Sequence, residues 1–174
     1  MIEIEKTYLA KKLPKDLTSC KFNEIIDLYI PKSSEQPKLR LRKHGDKFDL
    51  TKKEHVNSGD ASHQEEQTII LTETEFNILN QQLEGKRVHK IRYFYDYKDR
   101  TAEFDIFQDS LAGLVVVDFE FATLEEKDNF QMPDFCLADI TQEVFIAGRM
   151  ICGKSYEDIE SNLSKFQYSK LFLE

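Results

Sequence analysis

Apolar and polar residues alternate one for one through seven short runs of the chain: Ile2–Leu9, Leu39–Lys43, Lys47–Lys53, Gln64–Leu71, Val88–Tyr95, Ala102–Phe107 and Val115–Phe121. A period of two marks a strand, because successive side chains point to opposite sides of a sheet. Helices are fewer and are announced by their starts. Thr72 followed by Glu75, and Thr123 followed by Glu126, are capping-box patterns that satisfy free N-terminal amides. The first leads into Phe76, Leu79 and Leu83 at helical spacing. A third helix is expected near Thr141, with Phe145, Ile146, Arg149 and Met150, and a fourth near Ser155, with Tyr156, Ile159, Leu163 and Phe166. Pro31–Pro37 and His55–Ser62 read as loops, too short to divide the chain. The pattern predicts one α+β, mainly β domain over residues 1–174, an antiparallel sheet curled into a barrel with helices packed outside.

Splitting each strand into its two faces changes the picture. One face is apolar, with Leu50, Ile91, Phe104, Ile106, Val117, Phe119 and Phe121. The other gathers Glu3, Glu5 and Thr7, then Arg40 and Arg42, Asp49, Thr51 and Lys53, Glu65 and Gln67, Lys90 and Arg92, Glu103 and Asp105, and Asp118 and Glu120. A plain half-buried sheet would turn such a face to water. Here, however, arginines and lysines concentrate in three strands and carboxylates in others, which is the distribution of a binding surface. If that face lines the inside of a barrel, its charges must be paired or liganded, since unpaired burial costs several kcal/mol per ion. Arg40, Arg42, Lys53, Lys90 and Arg92 would clamp a polyanion, because guanidinium forks match phosphate oxygens. Glu3, Glu5, Asp118 and Glu120 would hold a hard divalent cation, Mg²⁺ or Mn²⁺. A phosphate chain bridging metal and clamp satisfies both halves.

Composition bounds the partners. The 174 residues are 40% hydrophobic, enough for a core, and carry 24 lysines and arginines against 32 acidic residues, a formal net charge of −8. That balance argues against duplex nucleic acid as a partner. No apolar run approaches the roughly 20 residues that span a bilayer, and glutamates stand near the N-terminus where a signal peptide would be basic and then apolar, so a cytosolic protein is expected. Cys20, Cys136 and Cys152 are far apart and read as reduced, partly buried thiols, and the histidines show no ligand spacing. There is no P-loop, kinase-like glycine loop or GxSxG elbow, so phosphate would be held by side chains on strands.

Seven short motifs in order carry a family resemblance. Glu3-Ile4-Glu5 looks like the first half of an ExExK signature, Leu39-Arg40-Leu41-Arg42 like a paired-arginine strand, and Leu50-Thr51-Lys52-Lys53 like an LTxK strand. Lys90-Ile91-Arg92-Tyr93 is similar to KxRY and Phe104-Asp105-Ile106-Phe107 to (L/I)DxF. Leu111-Ala112-Gly113-Leu114 with Asp118-Phe119-Glu120-Phe121 is similar to LxGL…ExEF, and Pro133 with Asp139-Ile140-Thr141 to a late P…EVT stretch. Over roughly residues 1–150 the chain thus resembles the CYTH domain of the triphosphate tunnel metalloenzymes, which include class IV adenylate cyclases, thiamine triphosphatases and inorganic tripolyphosphatases. The resemblance implies a closed eight-stranded antiparallel tunnel with helices outside. It also implies a triphosphate-containing small molecule as substrate, gripped by Arg40, Arg42, Lys53, Lys90 and Arg92. Mg²⁺ or Mn²⁺ would be held by Glu3, Glu5 and Glu120, with Glu65, Asp105 or Asp118 positioning water. Three positions depart from the pattern: Thr7 stands where the signature lysine belongs, Gln67 where a glutamate does, and Asp118 in place of glutamate. Metal-dependent hydrolysis of a triphosphate is the leading expectation. Cyclisation of ATP to cyclic AMP and binding of a polyphosphate or nucleotide without turnover are the alternatives. The amphipathic residues 151–174 are expected to form a helical extension, packed on the barrel or on a second subunit in a homodimer.

Overall fold

A computed structural model describes residues 2–55 and 63–173; the side chains of Ile2, Lys53, His55, His63 and Gln64 lie outside the described set, as does most of the loop expected over His55–Ser62. The strands are β1 (Ile2–Ala10), β2 (Phe22–Ile30), β3 (Leu39–His44), β4 (Lys47–His55), β5 (His63–Leu71), β6 (Lys86–Tyr97), β7 (Arg100–Phe107), β8 (Val115–Phe121) and β9 (Cys136–Asp139). The helices are α1 (Glu73–Gln82), α2 (Leu124–Asn129), α3 (Gly148–Ile151) and α4 (Tyr156–Ser164).

All pairings are antiparallel, in the order β5-β4-β3-β2-β6-β7-β8-β1-β9, and β1 also pairs with β5 over Ile2–Ile4. The sheet is mainly β with helices against it, as the alternation predicted. The expected count of eight strands is corrected: among the described residues the sheet has nine. The ninth, β9, pairs with Tyr8–Ala10 at the end of β1, where a register shift between Leu9 and Ala10 re-aims the strand.

The apolar face of the sheet points outward. Phe104, Val117, Phe119 and Phe121 are buried there beneath Phe135 and the half-buried Phe130, Leu171 and Leu173. Leu28 and Leu41 are buried beneath Phe76 of α1, with Leu79 and Leu83 beside them. Each such side chain contributes about 1.5–3 kcal/mol by leaving water. The α1 start is the expected capping box, with Glu75 N donating to Thr72 Oγ1 and Thr72 N donating to Glu75 Oε2. α4 begins with the same device, Ser155 and Asp158. Its Tyr156, Ile159 and Leu163 share a core with Leu9, Phe107, Leu114 and Val116, so residues beyond 150 pack on this chain's own sheet. The tail is stitched by the Tyr168 hydroxyl, which accepts from Val115 N at 2.7 Å and donates to Gly113 O at 2.9 Å.

Two elements differ from the sequence expectation. β2 has no clean alternation because Leu28, Tyr29 and the buried Asp27 are covered on both faces of the sheet. The helix expected from Thr141 is a 3₁₀ turn at Val144–Ile146, an extended Ala147, and the single turn α3. Thr141 cannot cap a longer helix, since its hydroxyl accepts from Thr7 N at 3.1 Å and donates to Asp139 at 2.6 Å.

Candidate active site

Because the apolar face is turned out to the helices, the charged face is left to line a cavity of about 470 Å³. Alternation aims every second residue into it: Glu3, Glu5 and Thr7 from β1, Arg40, Arg42 and His44 from β3, Lys90 and Arg92 from β6, Glu103 and Asp105 from β7, Asp118 and Glu120 from β8. Arg40, Arg42, Lys90, Arg92, Asp105, Asp118, Glu3, Glu5 and Glu120 are therefore gathered in one cavity, as their shared face predicted. The side chain of Lys53 lies outside the described residues; its backbone pairs with Glu66.

Glu65 is the residue that does not arrive. It is exposed, while Glu66 lines the cavity, because β5 pairs with β4 so that Glu66 stands opposite Lys53 and Thr68 opposite Thr51, which faces inward. Directly opposed residues share a face, and a shift of one residue exchanges the two faces. Gln67 follows Glu65 outward.

Hydrogen bonds divide the cations into held and available ones. Arg42 donates through Nε and Nη2 to the two oxygens of Asp27 at 2.6 and 2.8 Å. Arg92 grips Asp105 in the same bidentate way, both contacts at 2.7 Å, reaches Asp118 at 3.2 Å and also binds Glu103. Lys90 donates to Asp105 as well. Arg40 differs: its Nη2 stands 3.8 Å from Glu66, and its buried Nε has no hydrogen-bond partner among the described residues. A buried unsatisfied guanidinium N–H is costly, and an anionic oxygen in the cavity would satisfy it.

Asp27 was not visible as a site residue, since its strand lacks alternation; its one signal is an acidic residue inside an apolar run. Burial pushes its carboxyl up, but Arg42, through charge and hydrogen bond, and then Arg40 and Lys90 hold it down at about 2. Against an ordinary value near 3.9, this low folded value contributes about 2 kcal/mol of stability. The contribution is fully present above about pH 5 and is lost as pH falls through about 2. Asp27→Asn is accordingly expected to be less stable than wild type at neutral pH, with the gap in Tm narrowing between pH 7 and pH 3. A gap independent of pH would refute the assignment.

At the acidic end, the register sets Glu5 opposite Glu120, and Asp118 between Glu103 and Thr7. Thr7 Oγ1 donates to Asp118 at 2.8 Å, so the threonine that replaces the expected lysine has a local role. Burial, then the nearby charge of Asp105, pushes Asp118 up against the pull of Arg92. Burial also pushes Glu103 up to about 7, with Arg92 opposing the rise and Asp118, Glu120 and Asp105 adding to it. Among the described residues no three His, Cys, Asp or Glu side chains are drawn together at ligating distances. The donor chemistry nonetheless fits a hard divalent cation: Glu3, Glu5 and Glu120 offer carboxylate oxygens, and like charges directly opposed repel until neutralised. Among the described residues the lining has ten carboxylates and six lysines and arginines.

No family model matches the chain. A curated protein of Nitrosomonas europaea described as an inorganic triphosphatase is 29% identical over 145 residues, 82% of this chain and 91% of the relative. A crystal structure of an inorganic triphosphatase aligns with a TM-score of 0.63 at 23% identity, covering 87% of this chain and 95% of that one. A protein from Pyrococcus horikoshii aligns with a TM-score of 0.51 at 15% identity, covering 98% and 96%. These structural likenesses establish a shared fold. No helix among the described residues is long and apolar enough to cross a membrane.

Proposed function

We propose that this chain, which resembles the triphosphate tunnel metalloenzymes in the order of its motifs, in its fold and in its curated relative, is a divalent-metal-dependent triphosphatase. The observation that carries the reading is the unsatisfied, buried Nε of Arg40 facing a cavity in which cationic strands confront carboxylate strands. The β1–β5 pairing supports a tunnel in which the sheet meets itself around the substrate.

In this reading Arg40 and Arg42 bind the phosphate oxygens, Lys90 and Arg92 line the same wall, and Lys53 joins them from β4. Glu3, Glu5 and Glu120 would hold Mg²⁺ or Mn²⁺, which when bound offsets phosphate charge and lowers the pKa of water. Asp105 acts differently from the water-positioning role expected for it. Both its oxygens are occupied by Arg92 and Lys90, so it is a positioning residue that fixes two cations at the transferring phosphoryl group. Asp118, half engaged by Thr7 and Arg92, is the better candidate for orienting water, with Glu66 taking the inward place expected for Glu65.

The test is orthophosphate release from tripolyphosphate, thiamine triphosphate and ATP, with Mg²⁺ or Mn²⁺ against EDTA, while the ATP reaction is assayed for cyclic AMP. Metal-dependent release from tripolyphosphate, abolished by EDTA, is expected. Cyclic AMP from ATP would replace hydrolysis by cyclisation. Absence of turnover in folded protein that gains thermal stability with tripolyphosphate would make it a binding protein.

A further inference from the structure

Arg42, Lys90 and Arg92 are each aimed by a carboxylate within hydrogen-bond distance, Asp27 for the first and Asp105 for the other two. Arg40 is held differently. Its Nη2 stands 3.8 Å from Glu66, beyond hydrogen-bond distance, and its Nε is buried without a partner among the described residues. The residue directly opposite Arg40 across the β2–β3 pair is Tyr29, and directly opposed residues share a face of the sheet. Both line the cavity.

Tyr29 is fixed from two sides. It is 9% exposed and shares a core with Val88, Ile146 and Ile151. Its hydroxyl comes so close to Gly148, at the start of α3, that a Cβ there would overlap the hydroxyl oxygen, so the approach requires glycine. Burial, and then the charge of Asp27, pushes the hydroxyl pKa up, while Arg40, by charge and by a side-chain hydrogen bond, and Arg42 pull it down. The phenol thus stays neutral. A neutral acceptor orients a guanidinium without cancelling the charge that draws phosphate, as a carboxylate partner does for the other three cations. We infer that Tyr29 is a positioning residue for Arg40: wedged against Gly148, its hydroxyl holds the guanidinium so that the unsatisfied Nε is turned to the phosphate chain. This rests on the triphosphatase reading above.

The experiment is a double-mutant cycle of Tyr29→Phe with Arg40→Ala, reading kcat and KM for tripolyphosphate and the calorimetric Kd of a non-hydrolysable imido analogue of tripolyphosphate with Mn²⁺. Tyr29→Phe, which removes the hydroxyl and keeps the ring, is expected to raise KM and Kd about tenfold, the scale of one hydrogen bond to a charged group, while kcat falls less. In the Arg40→Ala background the same change should alter Kd by less than about twofold, because a residue that acts through another has no effect once that other is gone. An equal loss in both backgrounds would overturn the inference, since the hydroxyl would then meet the substrate by itself. Wild-type KM and Kd in Tyr29→Phe, with or without a fall in Tm, would also overturn it and leave the triphosphatase reading intact. If Arg40→Ala abolishes measurable binding, Gly148→Ala decides: it keeps Tyr29 and Arg40 but displaces the hydroxyl, so it should raise Kd as Tyr29→Phe does, and a wild-type Kd would overturn the inference. Wild type that neither binds the analogue nor releases phosphate would overturn both.

Discussion

Asp105→Asn is expected to lower stability by about 3–5 kcal/mol, the usual consequence of removing one partner from a buried ion pair. For a domain of this length that corresponds to a fall in Tm of roughly 10 °C. Asp105 is 1% exposed, and its two oxygens serve the bidentate fork of Arg92 and the ammonium of Lys90, itself 9% exposed. Burial pushes its carboxyl up, yet Arg92 and Lys90 together hold it far below the usual carboxylate range, so it is ionised at any working pH. The amide fills the same volume and leaves two buried cations with a neutral acceptor, so packing loss does not enter. Its contribution, like that of Asp27, is present above the unfolded carboxylate value near 3.9 and disappears as pH falls below it. Thermal unfolding at pH 7 checks the prediction; a shift within about 2 °C would mean that Arg92 and Lys90 find other partners. Turnover should fall with stability in this variant even at temperatures where it is folded, because Arg92 loses the partner that aims it.

Glu120→Ala is expected to lower metal-dependent phosphate release by at least about 100-fold, since even outer partners of metal ligands are worth 10- to 100-fold. Stability should be unchanged or slightly higher. Glu120 is exposed at the acidic end and stands directly opposite Glu5, where two like charges repel in the metal-free protein. The combination discriminates between roles: a structural residue would lose stability with activity, whereas a ligand loses activity alone. Phosphate release titrated with Mg²⁺ and Mn²⁺, beside a thermal melt without metal, reads both. Full activity at ordinary metal concentration would show that the cation is held elsewhere.

The two variants sample opposite halves of one cavity, and the contrast between them follows from how the charges are satisfied. On the basic side, partners are built in: Asp27 for Arg42, Asp105 for Arg92 and Lys90. On the acidic side, Glu5 and Glu120 stand directly opposite one another across a pair of strands, an arrangement that a divalent cation would stabilise.

Much of this was written in the sequence by itself. Period-two alternation decides which side chains share a face, so Glu3 with Glu5, Arg40 with Arg42, Lys90 with Arg92, and Asp118 with Glu120 could be grouped before any strand was paired. The capping pairs Thr72 with Glu75 and Thr123 with Glu126 located helix starts, because capping is a contact between neighbours in the chain. What required tertiary structure is whatever depends on a partner distant in sequence. β2 was not legible because residues covered on both faces do not alternate, and Asp27 was hidden with it. The exchange of Glu65 for Glu66 depends on the register of β5 against β4, which a single strand does not encode. The third helix was cut short because Thr141 bonds to Thr7, 134 residues away. Arg149, read from spacing as one residue of a helical stripe, became part of the cavity only when the segment after β9 folded across the sheet end against Tyr29. Local chemistry is set by neighbours in the chain, whereas pairing, register and the sealing of a cavity are set by contacts whose partners the fold alone brings together.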